Sequence, residues 1–161
     1  MCKKEIGNSY KIQHYSDLAD EDRILIDNAS NATSNSYAPY SEFSVGCAVL
    51  IDDGSIITSA NQENCAYPSG MCAERIALYY AGCVIRKNGT DYRNIKTIAI
   101  SAKDKYSNLA TAFPCGACRQ AMIEFEVQRK KQPIRILVHQ KDNSVAVFES
   151  VKDLLPMSFD F

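Results

Sequence analysis

The chain has 161 residues, 46% of them hydrophobic, enough for a single domain with a substantial core. Its 18 basic and 19 acidic residues leave a net charge of -1, which argues against the basic stripe of a polynucleotide binder. No apolar run approaches the roughly 20 residues of a membrane span.

In chain order, residues 1–15 are expected to form a loosely attached lead-in and residues 16–161 a single domain. Met1-Cys2-Lys3-Lys4-Glu5-Ile6-Gly7 places no apolar stretch behind its charges, so no export signal is read there. The expected setting is therefore a reducing, cytoplasmic one, in which some of the seven cysteines serve as metal ligands rather than disulfides. Ser16-Asp17 has the chemistry of a helix cap, ahead of apolar positions Leu18, Ile24, Leu25 and Ile26. That helix fades over residues 30–36 and is broken by Tyr37-Ala38-Pro39-Tyr40-Ser41. Residues 44–51 have strand character, and Asp52-Asp53-Gly54-Ser55 is a hairpin turn into Ile56-Ile57-Thr58. Residues 72–82 read as a helix with a glycine stop, 95–101 as a strand and 116–128 as a second helix. Residues 134–139 and 145–148 read as strands joined by Lys141-Asp142-Asn143-Ser144, and a final helical turn covers 150–155. The order α-β-β-α-β-α-β-β implies an α/β layered domain, a mixed sheet with helices packed on it. Arg129-Lys130-Lys131, the nearest approach to a basic cluster, reads as a solvated helix end.

The chemistry concentrates in Cys72-Ala73-Glu74 and Pro114-Cys115-Gly116-Ala117-Cys118. Three thiolates can hold a zinc ion and leave its fourth tetrahedral position open. Zinc lowers the pKa of a bound water from about 15.7 toward about 7, and a neighbouring carboxylate such as Glu74 can move the proton. The spacing matches the Cys-x-Glu and Pro-Cys-x-x-Cys pattern of zinc deaminases. Each motif opens a predicted helix, where the helix dipole and unpaired N–H donors favour thiolates. Cys115 and Cys118 are three residues apart and share a helix face. Pro114 fixes the entry to that helix, and Gly116 leaves backbone room beside the metal. Cys72 and Glu74 would point roughly 200° apart on an ideal helix, so an irregular first turn is expected. Arg75 either hydrogen-bonds the sulfurs and offsets their charge or is an ordinary surface arginine.

Other readings stand beside this one. Cys115 and Cys118 could be a redox pair, and Cys65 could close a structural zinc site as a fourth ligand. Cys47 and Cys83 fall in apolar runs and read as small buried hydrophobes, Cys2 as a terminal residue. His14 and His139 lie outside every motif. Asn61 and Glu63 alternate by two and can face one side. A carboxylate there suits a sugar hydroxyl and would repel a 3′-phosphate; otherwise both are exposed strand-end residues. Phe43 by itself reads as core.

The residues resemble the small, homo-oligomeric cytidine deaminases, in a bacterial-like branch. The likeness runs in order through Ser36-Tyr37-Ala38-Pro39-Tyr40-Ser41-Glu42-Phe43, Val45-Gly46, Asn61-Gln62-Glu63-Asn64 and Cys72-Ala73-Glu74-Arg75. It continues through Pro114-Cys115-Gly116-Ala117-Cys118-Arg119-Gln120 to Leu154-Leu155-Pro156-Met157-Ser158-Phe159. The resemblance implies a three-layer fold, a mixed sheet flanked by helices. It implies one zinc per subunit on Cys72, Cys115 and Cys118, with Glu74 as proton shuttle. It places Phe43 against the pyrimidine, Asn61 and Glu63 on the ribose 3′-hydroxyl, and the Ala73 backbone at the edge of the base. Tyr67 and Phe159 would reach a neighbouring subunit's site in a homotetramer. The implied activity is hydrolytic deamination of cytidine and 2′-deoxycytidine to the uridines in pyrimidine salvage, with a nucleoside substrate and neither nucleic-acid polymer nor membrane as partner. A deaminase of another cytosine nucleoside, such as a nucleoside antibiotic, and a non-catalytic zinc module are the alternatives. Phe113 departs from the Ser or Thr usual before Pro-Cys, and Cys65 from the commoner Ala or Ser.

Overall fold

The computed structural model describes residues 10–87, 95–129 and 132–159. Ten regular elements among them follow the expected order with two additions. They are β1 (Lys11–His14), α1 (Asp20–Ala32), β2 (Ser44–Ile51), β3 (Ile56–Ala60), α2 (Ala73–Lys87), β4 (Ile95–Lys103), β5 (Leu109–Ala110), α3 (Gly116–Gln128), β6 (Arg135–His139) and β7 (Ser144–Phe148). The strands form one mixed sheet in the order β1-β7-β6-β4-β2-β3, with β5 paired to β4 off that path. β4 and β6 run parallel and the other pairs antiparallel. Returning to a parallel neighbour requires a crossover, and α3 lies in it.

Alternation along the strands sorts the layers. Cys47, Val49 and Ile51 of β2, Ile98 and Ile100 of β4, and Ile136 and Val138 of β6 pack with Ala77, Leu78, Met122 and Ile123 of α2 and α3. The intervening Ala48, Leu50, Ala99 and Leu137 pack with Leu25, Ile26 and Ala29 of α1. One helix thus covers one face and two cover the other, the three-layer arrangement expected.

Gly46 marks the closest approach of the α1 layer to the sheet. A Cβ there would collide with the Ala29 carbonyl oxygen and lie 2.9 Å from the Thr33 backbone nitrogen. Both obstacles are main chain and cannot swing aside. Gly46→Ala is expected to cost about 1–3 kcal/mol, seen as a thermal midpoint lowered by at least about 2 °C. An unchanged midpoint would contradict this packing.

Several local expectations need correction. Residues 1–9 of the expected lead-in lie outside the described residues, but Lys11–His14 forms β1 on the sheet edge, paired with β7. Its four side chains are exposed, so it carries no alternating core signal. Ser16 and Asp17 do not cap α1. They lie in a 3-10 turn, Tyr15–Asp17, and the N-cap position is Ala19, without a side-chain cap. Gly82 does not stop α2, which runs on to Lys87; the glycine faces the Phe125 ring, 3.5 Å from where its Cβ would be. Cys83 is exposed, whereas Cys47 is buried as expected. Arg129 is not a solvated helix end: it pairs with Asp52 at 3.1 Å and donates to the Ile95 carbonyl. Lys130 and Lys131 lie outside the described residues.

The C-terminal turn expected over 150–155 is a 3-10 turn, Val151–Asp153, closed by a capping box from Ser150 and Asp153. It is tied to α3 by Glu126, a buried carboxylate that accepts from Ile134 N at 2.9 Å, Val151 N at 2.9 Å and Ser150 Oγ at 2.7 Å. Three donors explain how a charge sits inside the core.

Candidate active site

The N-terminal ends of α2 and α3 converge. Cys72 lies just before α2, Cys115 is the N-cap of α3 in extended backbone, and Cys118 sits in its first turn. Their sulfurs lie 3.8 Å apart for Cys72–Cys115 and 3.4 Å for Cys115–Cys118, and all three are within 4.8 Å of one another. Tetrahedral zinc bound at ~2.3 Å spaces its sulfurs at about 3.8 Å, so the donor set fits that ion. Cys65 is outside this cluster. It is exposed, with its thiol 3.8 Å from Asn64 Oδ1, so the four-cysteine arrangement is not assembled.

The angular conflict between Cys72 and Glu74 is resolved by the helix boundary. Helical backbone begins at Ala73, so Cys72 is not bound by the helical rotation. Its carbonyl still accepts the first helix bond, from Ile76 N at 3.3 Å. Ser59 of β3 donates to the Ala73 carbonyl at 2.6 Å and anchors this turn to the sheet.

Electrostatics favour a cation among the sulfurs. Hydrogen bonds from Cys118, then Cys115 and Arg75, outweigh burial and lower the Cys72 thiol pKa to about 5. Cys118 is pushed the other way, because it donates to Cys72 and is buried. A metal ion bound there would displace thiol protons. Against burial, the charge on Cys72 raises the pKa of Arg75, and Arg75 Nε is buried without a hydrogen-bond partner among the described residues, which favours charge compensation over an ordinary surface role. Glu74 is only 4% exposed. Burial raises its carboxyl above the ordinary value, and the Cys72 charge adds to this.

A cleft of about 620 Å³ opens beside these groups, walled by Asn61, Glu63, Tyr67, Ala73, Glu74 and Phe113 among others. Its outer wall is the loop before β2. Asn61 holds that loop: its Oδ1 accepts from Ser36 Oγ at 2.6 Å and Val45 N at 2.7 Å, and its Nδ2 donates to Phe43 O at 3.0 Å. Glu63 Oε2 accepts from Tyr40 N at 2.9 Å and Ser41 N at 3.3 Å. The hydrogen bonding with Ser41, then Tyr40, lowers the pKa of Glu63. Both residues line the cleft, and part of their hydrogen-bonding capacity already serves the protein, with Asn61 Oδ1 and Glu63 Oε2 each accepting twice. Phe43 lies on the loop before β2 and is not among the residues lining the cleft. Phe113, the departure from the family's usual Ser or Thr, lines it, edge-on to Phe148 at 6.3 Å. Phe159 lies elsewhere, 70% exposed beside a second hollow walled by Arg75, Tyr79, Gln120 and Phe125. Tyr67 is 78% exposed at the cleft mouth, 6.2 Å from the Tyr40 ring. His139, unassigned from sequence, is buried and contacts Ser101 and Asn143.

Comparisons with known proteins agree with this geometry. The profile described as "Cytidine and deoxycytidylate deaminase zinc-binding region" matches residues 19–131. The cytidine deaminase of Halalkalibacterium halodurans is 43% identical over 102 residues, 63% of this chain and 70% of that protein. The cytidine deaminase of Mycobacterium tuberculosis (strain CDC 1551 / Oshkosh) is 35% identical over 101 residues, 63% of this chain and 68% of that protein. The crystal structure of the Burkholderia pseudomallei cytidine deaminase superposes with a TM-score of 0.70 at 33% identity, covering 88% of this chain and 100% of that one.

Proposed function

The chain belongs to the cytidine and deoxycytidylate deaminase family, and from that we propose that it deaminates cytidine and 2′-deoxycytidine hydrolytically, releasing ammonia. The observation that carries this reading is the trio of sulfurs at zinc-like spacing beside a buried carboxylate that lines a cleft. Cys72, Cys115 and Cys118 would hold the zinc. When bound, zinc supplies Lewis acidity that makes water nucleophilic near neutral pH.

The remaining chemistry belongs to the chain. Glu74 takes a proton from the attacking water and delivers it to ring N3. As the C4–O bond forms, it then carries the second proton to the amine. The C4–N bond breaks, ammonia leaves, and uridine remains protonated at N3. Burial suits Glu74 to this exchange, because raising its pKa makes the carboxylate a stronger base toward the water proton and lets it carry that proton until the substrate accepts it. The Ala73 backbone meets the edge of the base. The free donor of Asn61 and the second oxygen of Glu63 meet the ribose hydroxyls, and Phe43 joins the pyrimidine face when the loop before β2 adjusts. Tyr67 and Phe159 complete neighbouring sites in a homotetramer, which works on free nucleosides in cytoplasmic pyrimidine salvage.

A substrate panel tests this. Cytidine and 2′-deoxycytidine should be converted, while cytidine 3′-phosphate and a cytosine-containing single strand should not, because Glu63 opposes a phosphate. Turnover confined to an elaborated cytosine nucleoside, or to polynucleotide, would overturn the reading.

A further inference from the structure

The turn that presents Cys115 and Cys118 is gripped by a residue with no role so far. Arg119 folds back across its own helix start. Its backbone N–H donates to Cys115 O at 2.9 Å, and its Nε donates to Pro114 O at 2.8 Å. Pro114 O belongs to the peptide leading into Cys115, so these two bonds fix the backbone on both sides of the Cys115 α-carbon. The same guanidinium reaches outward, and Nη1 donates to Leu154 O at 3.1 Å. Leu154 is in the core cluster with Cys118 and Met122.

The C-terminal segment is therefore held to α3 at three levels. Glu126 binds Ser150 and Val151, Arg119 binds Leu154, and Gln120 Nε2 donates to Phe159 O at 2.8 Å. Of the three, Arg119 alone also bonds the cysteine turn. A planar guanidinium suits two carbonyls in different directions, whereas a lysine ammonium is a point donor on a flexible stem.

We propose that Arg119 is the positioning residue that fixes the Cys115 end of the metal-binding turn and couples it to the C-terminal segment. This rests on the zinc-site reading above. Outer partners that orient metal ligands are worth about 10–100-fold in metal affinity. Coupling through Arg119 must also be reciprocal: zinc binding should steady the segment, and the segment should support zinc binding.

The test uses the full chain and Arg119→Met, Arg119→Lys and Gln120→Ala variants. Zinc affinity is measured by competition with a chromophoric chelator, and hydrogen exchange of residues 150–159 is followed with and without zinc. Cobalt substitution supplies a thiolate-to-metal absorption band as a signature of ligand geometry. Arg119→Met should bind zinc about 10–100-fold more weakly, shift the cobalt band, and abolish the slowing of exchange that zinc produces in the parent chain. Arg119→Lys should fall between, and it carries the test if the Met variant fails to fold. Gln120→Ala should release the chain end while leaving zinc affinity unchanged. A folded Arg119 variant with parental zinc affinity and cobalt band would overturn the proposal, as would a Gln120→Ala variant that weakens zinc equally. Failure of the parent chain to bind zinc would overturn the metal site itself, and this proposal with it.

Discussion

Glu74→Gln is expected to lower cytidine turnover by about 10⁴-fold, the upper end for a general acid–base group, with zinc content unchanged. The substitution isolates proton transfer. Glutamine matches the carboxylate in shape, and the side chain is 4% exposed, so its packing is nearly preserved. An amide can neither accept the proton of the attacking water nor pass one to the leaving amine. Glu74 is not one of the three sulfur donors, so the metal should stay. Zinc content by elemental analysis and uridine formation by absorbance, measured on the same sample, separate the two effects. A glutamine variant that keeps even a tenth of the parental rate would remove Glu74 from the proton path. One that loses zinc in step with activity would make it a metal-holding residue instead.

Loss of one sulfur should be as severe for a different reason. Cys118→Ala removes a donor that is fully buried and contacts both other cysteines. Two sulfurs would remain, and zinc affinity is expected to fall by more than the hundredfold typical of an outer partner, with turnover below detection. The change in volume is small, so the fold should tolerate it better than the site does. Stripping zinc from the parent chain with a chelator should likewise abolish turnover, and adding zinc back should restore it. Full activity in chelator-treated, metal-free protein would show that the sulfurs serve some other purpose. Restoration of Cys118→Ala at modest excess zinc would place the third donor elsewhere.

Reading the sequence recovered what depends on local pattern. β2 was expected over 44–51 and found at Ser44–Ile51, and α3 was expected over 116–128 and found at Gly116–Gln128. In both, the chemistry of the flanking residues marks the ends, with Asp52-Asp53-Gly54 after one and Pro114 before the other. The three cysteines and Glu74 were legible because a metal needs particular donors at particular spacings. What escaped were features made by tertiary contact. β1 is exposed along its length, and β5 is two residues long; neither carries a periodic signal. Segments 37, 61–63 and 71 join through isolated bridges at the cleft wall, too short for any sequence pattern.

The roles of Asn61 and Arg119 show the same limit at the site. Asn61 was expected to face a ribose, and its side chain also bonds Ser36 and Phe43 of the loop before β2 and Val45 of β2 itself. Its position on the chain pointed to the cleft, but the pairing spans up to 25 residues and cannot be read from spacing. Arg119 stood in a recognisable motif without a visible reason for being arginine. The reason is a carbonyl 35 residues away.

The most direct test of the whole account is deamination of cytidine in ¹⁸O-labelled water by the zinc-loaded chain. The expected product is uridine carrying one labelled oxygen at C4, with one ammonia per uridine. Unchanged cytidine from folded, zinc-loaded protein, or uridine without the label, would contradict hydrolytic deamination at this site.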